Sequence, residues 1–97
     1  MAGFVQIIEF QSSWIDDIRN LVEQMRDRAP GLAVRGNFTA DRDRPNTYVN
    51  IVEFESAEAA EENSNRPETQ EFAAKMAELC DRPASFRNLD LIENWQA

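Results

Sequence analysis

The sequence predicts an α+β domain of order β-α-β-β-α-β with a four-stranded antiparallel sheet. Three observations predict it. Four short apolar stretches, rich in β-branched and aromatic residues, lie at Phe4–Phe10, Leu32–Thr39, Tyr48–Glu55 and Phe86–Trp95. Two amphipathic segments with helical spacing separate the first from the second and the third from the fourth. The 97 residues fit a single domain, residues 1–97.

The first stretch, Phe-Val-Gln-Ile-Ile-Glu-Phe, alternates Phe4, Gln6, Ile8 and Phe10 on one side with Val5, Ile7 and Glu9 on the other. Ser12-Ser13 then offers an N-cap, and Ser13 with Asp16 has the spacing of a capping box. Trp14, Ile18, Leu21, Val22 and Met25 share one helical face, which predicts a helix from about Ser13 to Arg28. Asp16 and Asp17 in its first turn and Arg26 and Arg28 in its last suit the helix dipole. Pro30-Gly31 stops it.

In the second strand Gly36 interrupts the alternation and marks a bulge or a close approach. Asp41-Arg42-Asp43-Arg44-Pro45-Asn46 reads as a solvated hairpin loop, each arginine having an aspartate beside it. The third strand sets Tyr48, Asn50, Val52 and Phe54 against Val49, Ile51 and Glu53. Ser56 caps a short helix, Ala57–Asn63. Asn63-Ser64-Asn65-Arg66 is poor helix material, and Pro67 fits the first position of a renewed helix striped by Phe72, Met76 and Leu79. Asp81-Arg82-Pro83 ends that helix. The last strand alternates Phe86, Asn88, Asp90 and Ile92 with Leu89, Leu91 and Trp95.

This order is the ferredoxin-like split unit. Two helices cover one face of its sheet, yet the strands carry apolar side chains on both faces, as sheets buried on two sides do. A homodimer in which two bare faces meet removes that exposed surface from water, so a dimeric α/β barrel is expected.

Composition excludes several classes of function. Eighteen acidic against ten basic side chains give a net charge of −8, which repels a phosphate backbone and argues against a nucleic-acid partner. No apolar run approaches the ~20 residues of a membrane span, so no membrane partner is expected. No basic segment followed by an apolar stretch opens the chain, and the lone Cys80 has no internal disulfide partner. Both features point to the cytoplasm. There is no histidine, and so no imidazole base or imidazole metal ligand. With three glycines the chain has no glycine-rich phosphate loop, and its carboxylates form no metal set. No cofactor and no metal are expected.

Val52-Glu53-Phe54-Glu55-Ser56-Ala57-Glu58-Ala59-Ala60 followed by Asn63–Pro67 resembles the dimeric α/β-barrel superfamily, in particular its antibiotic-biosynthesis-monooxygenase-like members. In that family a strand ending in an aromatic residue leads into an acidic helix start, then a polar residue and a Pro-containing break. Phe54, Asn63 and Pro67 stand at those positions. The resemblance spans Phe4 to Trp95. It implies a homodimer with a small-molecule pocket in each subunit between helices and sheet. It also implies chemistry drawn from cofactor-independent oxygenases of polyketide phenols, isomerases, cyclases and haem-degrading oxygenases. The haem-degrading branch needs a histidine at about the position of Ala73 and a tryptophan near Asn63. The cyclase branch needs acid–base histidines. All are missing.

Candidate ligand-binding residues follow from chemistry and place. Asn63 and Asn65, with Ser64 between them, carry donors and acceptors at the helix break that can orient a phenol or carbonyl oxygen, or simply satisfy loose helix ends. Asn50 and Gln6 are mid-strand amides that need partners if buried, whether a ligand, each other or the dimer seam. Asn88 and Asp90 raise the same question. Trp14, Phe54, Phe72 and Met76 can wall a flat apolar pocket or fill the core. Arg35 and Arg87 share a face with Glu9, Glu53 and Glu93, which favours ion pairs over a carboxylate clamp. Tyr48, the one phenolic acid–base candidate, suits packing, and Cys80 reads as a small buried hydrophobe. No catalytic residue is assignable. Two functions stay open: a cofactor-independent monooxygenase, cyclase or isomerase acting on an aromatic or polyketide-like compound, or a non-catalytic dimeric small-molecule-binding or accessory module.

Overall fold

Strand β1 (Phe4–Gln11) leads through a short turn into helix α1 (Ile15–Arg28). Strands β2 (Ala33–Ala40) and β3 (Thr47–Phe54) form a hairpin. Helices α2 (Ala57–Asn65) and α3 (Pro67–Leu79) meet at an elbow, and strand β4 (Ser85–Asp90) completes the sheet. The computed structural model describes residues 3–28 and 31–97, so the helix stop expected at Pro30 lies outside the described residues. The sheet order is β2-β3-β1-β4, all pairs antiparallel. The predicted ferredoxin-like α+β fold is the one observed.

The registers decide which face the helices cover. Phe4, Gln6, Ile8 and Phe10 lie opposite Phe54, Val52, Asn50 and Tyr48. Phe38 lies opposite Asn50, and Phe86 and Asn88 lie opposite Ile8 and Gln6. Ile15 and Val22 of α1 line a groove with Phe38 and Tyr48, so this is the helix face. α1 and α3 contact one another, which puts both helices on that side. Phe10, Ile18, Phe54 and Ala60 are the fully buried apolar residues among those described. Phe10 packs on Tyr48 and edge-on to Phe38, with ring centroids 5.6 and 5.8 Å apart. The opposite face carries Val5, Ile7, Val49, Ile51 and Leu89 among Glu9, Arg35, Glu53 and Arg87, and these apolar residues are half-buried or exposed.

Four local expectations are corrected. The helix begins at Ile15, not Ser13: the first intrahelical bond runs from Ile18 N to Trp14 O. No Ser13–Asp16 capping box forms, because the Ser13 hydroxyl donates to Asp81 instead, at 3.3 Å. The register shift in β2 falls between Ala33 and Arg35, so the extra residue is Val34 and not Gly36. Gly36 faces no more than ordinary contact, a Cβ there lying 3.4 Å from Ile51 O. The last strand ends at Asp90 rather than Trp95. Leu91 still bonds through its N–H to Gly3 O at 2.9 Å and lies so close over Gly3 that a Cβ there would be 2.6 Å from Leu91 Cδ2. Beyond Leu91 the pairing stops and residues 92–97 adopt no regular structure.

Other expectations hold. Ser56 caps α2 by accepting from Ala59 N, and Pro67 opens α3. The 41–46 loop is a hairpin connection in which Asn46 takes a left-handed φ of 59°. Arg44 leaves the loop to bind Asp41 at 2.8 Å and Glu9 at 3.0 Å, and Arg35 pairs with Glu53 at 3.9 Å.

Candidate functional site, an amide row under the broken helix

The helix face of the sheet is apolar at its ends and polar in the middle. Gln6 on β1 donates from Nε2 to Asn88 Oδ1 on β4, at 3.2 Å. Asn50 sits one pair further along, opposite Ile8 and Phe38. One donor–acceptor contact leaves the Gln6 carbonyl and the Asn88 amide nitrogen with capacity to spare.

Helix α3 packs against α1 on the same side of the sheet. Its half-buried residues Thr69, Phe72, Met76 and Leu79 recur at helical spacing and form its inner stripe. Its end is tied to the end of β1, since Leu79 O accepts from Ser12 Oγ at 2.6 Å and Asp81 N donates to Gln11 O at 2.8 Å. Ten residues back, at a 1.5 Å rise, Thr69 lies roughly 15 Å from Leu79. At about 3.4 Å per residue, the same length of β1 reaches back from Gln11 to Gln6 or Ile7. The Thr69 hydroxyl oxygen is shielded from solvent and has no hydrogen-bond partner among the described residues. Such a group costs about 1–3 kcal/mol unless something bonds it.

The six residues singled out from sequence do not converge on one cavity. Phe54 is a core residue. Asn50 belongs to the amide face, half-buried. Asn63 Oδ1 accepts from Leu32 N at 3.0 Å, and so ties α2 to the start of the β2 segment. Asn65 is exposed and lines a depression at the α2–α3 elbow with Glu58, Glu62 and Arg66. Phe72 lines a groove of about 150 Å³ between α1 and α3, with Leu21, Met25 and Lys75. Trp14 stands at the start of α1, 59% exposed, far from Asn63 near that helix's other end. Sequence reasoning missed Thr69; its place three residues before Phe72 on the apolar stripe was the available signal.

Charge at the site is low. The thiol of Cys80, at the end of α3, is pushed up by burial and by the neighbouring Asp81, which disfavours a nucleophilic thiolate. Asp41 is held below the usual carboxylate range by the Asp43 N–H and Arg44, and Arg44 is raised by Glu9 and Asp41, but this corner is on the hairpin. Among the described residues no three His, Cys, Asp or Glu side chains gather as a metal site would require. None of the described helices is long and apolar enough to cross a membrane. The arrangement can hold a neutral or phenolate oxygen by amide and hydroxyl bonds; it offers no strong acid or base to a bound molecule.

Neither a protein-family model nor a curated protein matches the sequence. Solved structures do match. The chain is similar to a mutant of SnoaB, a cofactor-independent oxygenase from Streptomyces nogalater, with a TM-score of 0.78, 17% identity and 95% of each chain covered. It is similar to Rv0793 from Mycobacterium tuberculosis, with a TM-score of 0.78, 19% identity and 97% of this chain and 99% of that one covered. A candidate antibiotic biosynthesis monooxygenase from Nitrosomonas europaea aligns with a TM-score of 0.77, 10% identity and coverage of 93% and 90%. At these identities the likeness is one of fold: the chain has the ferredoxin-like fold of antibiotic-biosynthesis-monooxygenase-like proteins.

Proposed function

We propose that the protein is a homodimer that binds a planar aromatic or polyketide-like compound between α3 and the sheet and acts on it as a cofactor-independent monooxygenase, or as a related cyclase or isomerase. The observation that carries this reading is the shielded Thr69 hydroxyl on the half-buried stripe of α3, unpartnered among the described residues, with the Gln6–Asn88 amide pair on the helix side of the sheet as its candidate companion. Asn50 lies on the same face of the sheet as Gln6 and Asn88, while Asn63 ties α2 to the start of the β2 segment. The likeness to a cofactor-independent oxygenase supports the reaction class.

The chemistry must reside in the substrate, because the chain supplies no histidine. A phenol or enol that ionises readily gives a carbanion-like carbon able to reduce dioxygen. Converting an activated CH2 to C=O with one O2 releases one water, and the substrate provides all four electrons. The protein's share is to hold the phenolate oxygen with Thr69, Gln6 and Asn88, orient the carbon and exclude water.

Incubation with hydroxylated polycyclic phenols tests this. Dioxygen uptake stoichiometric with ketone formation, reduced at least tenfold by Gln6→Leu, supports it. A thermal shift without oxygen uptake or product turns the reading to a non-catalytic binding module. The absence of both overturns the site.

A further inference from the structure

Strand β4 presents an ordered row on the helix side of the sheet. Phe86, Asn88 and Asp90 lie opposite Ile8, Gln6 and Phe4 of β1, so all three share the face that carries the Gln6–Asn88 hydrogen bond. All three are exposed, whereas their β1 partners are half-buried. Among the described residues no helix packs broadly on β4, so the row is open from the sheet edge. The Phe86 ring is 59% exposed, and the Asp90 carboxylate makes no ion pair among the described residues. A single exposed aromatic is ordinary. This one stands two residues from an amide pair with hydrogen-bonding capacity to spare, on the same face of the same strand.

We propose that this row selects the compound bound at the amide pair. Phe86 stacks on one end of a planar molecule, Asn88 donates to an oxygen near its middle, and Asp90 accepts from a hydroxyl at its other end. The inference rests on the function proposed above. Neighbouring positions on one face of a strand are about 7 Å apart, so the row spans roughly 14 Å from Phe86 to Asp90. That length suits an elongated fused-ring compound and exceeds a single ring. An exposed aromatic ring gains most from a second ring stacked offset or edge-on. Gln6 already donates to the Asn88 oxygen, which leaves Asn88 Nδ2 to donate toward a ligand. An ionised carboxylate can only accept, so Asp90 selects a hydroxyl and repels an acid. Its neighbours on this face, Asn88, Phe4 and Gln6, carry no charge that would reverse that choice. Preference for a hydroxylated compound over its acidic counterpart is therefore a property of β4, not of the helices.

2-Hydroxyanthraquinone and anthraquinone-2-carboxylate differ at one end only and serve as probes, in a buffer that keeps the hydroxyl protonated and the carboxylate ionised. By equilibrium dialysis the parent should bind the hydroxyl compound at least tenfold more tightly than the acid. Asp90→Lys should reverse that order, and Phe86→Ala should weaken both compounds about fivefold. Both side chains are exposed, so both variants should stay folded and sediment as the parent does. Gln6→Leu, which removes the amide pair, should weaken both compounds as well. Binding lost in Gln6→Leu but unchanged in Phe86→Ala or in Asp90→Lys overturns the ordered row and leaves the function proposed above standing. Binding that none of the three changes affects overturns both. If neither quinone binds the parent, the row is overturned, and oxygen uptake with phenols decides the proposed function by itself. A Phe86→Ala chain that sediments differently from the parent gives that ring to a subunit contact and also overturns the proposal.

Discussion

The Ser12 hydroxyl joins the start of α1 to the end of α3: it donates to Leu79 O at 2.6 Å and accepts from Trp14 N at 2.9 Å. Ser12 is fully buried, so both partners depend on it and not on water. Ser12→Ala leaves a helix-end carbonyl and a helix-start N–H unmatched and should cost about 1–3 kcal/mol. Chemical denaturation with an unchanged m-value and a lower midpoint is the expected result. Ser13→Ala, which loses only an exposed 3.3 Å contact to Asp81, is the control and should change stability by less than about 0.5 kcal/mol.

Asn63 distinguishes a latch from a ligand group. Its Oδ1 is engaged by Leu32 N, and a Cβ on Gly31 would come within 2.8 Å of that same oxygen. Asn63→Asp keeps an acceptor and should retain most stability. Asn63→Leu removes it and should cost about 1 kcal/mol. Equal loss of ligand binding in both variants, with stability kept in the aspartate form, would instead mark the amide nitrogen as a ligand contact.

Much of the fold was legible because alternation and helical spacing are strong signals over seven or more residues. The element order, the Ser56 cap, the Pro67 restart and the solvated hairpin were all readable from local chemistry. What sequence could not supply was long-range geometry. Ser12 and Ser13 are adjacent and chemically alike, and only the position of Leu79 and Asp81 decides which one is buried. The bulge at Val34 depends on how β2 meets Glu53 and Phe54 across the ladder, not on Gly36. Trp14 has the spacing of a core residue, but it precedes the first helical turn and so stays exposed. The amide row was visible as separate residues; that Gln6 meets Asn88 follows from β4 pairing with β1.

Asp41 gives the hairpin a pH dependence of known sign. Its carboxyl is held below 3.8, first by the Asp43 N–H and then by Arg44, so the folded state prefers it ionised. A depressed acid stabilises the fold above its unfolded pKa and loses that contribution as pH falls through the folded value. Asp41→Asn should therefore lower stability at neutral pH, and the gap to the parent should close below about pH 3.8. Parallel stability curves for the two proteins from pH 7 to pH 2 would contradict this.

Cys80 should label slowly. Burial raises its thiol above 9.0, and the adjacent Asp81 adds to the shift, so little thiolate is present at pH 8. Iodoacetamide should react well below the rate of a free cysteine in the native protein, and at the ordinary rate in denaturant. Cys80→Ala should leave any oxygenase activity unchanged.

The proposed dimer joins two bare sheet faces. On each, Ile7 and Ile51 are paired neighbours at its centre, flanked by Val5 and Val49, and among the described residues only Phe10, Ile18, Phe54 and Ala60 are buried apolar residues. A core this small stabilises a 97-residue chain poorly, and the uncovered face holds the apolar area that could make up the difference. A charge at its centre is compatible with a solvated sheet and incompatible with two sheets in contact. Ile51→Lys should therefore convert a sedimenting dimer to a monomer and lower the thermal midpoint. Glu53→Lys, on the same face but nearer its end, breaks only the 3.9 Å pair with Arg35 and should weaken association far less. If Ile51→Lys sediments as the parent does, the face is not the interface, and the half-buried state of its side chains is all the cover they have.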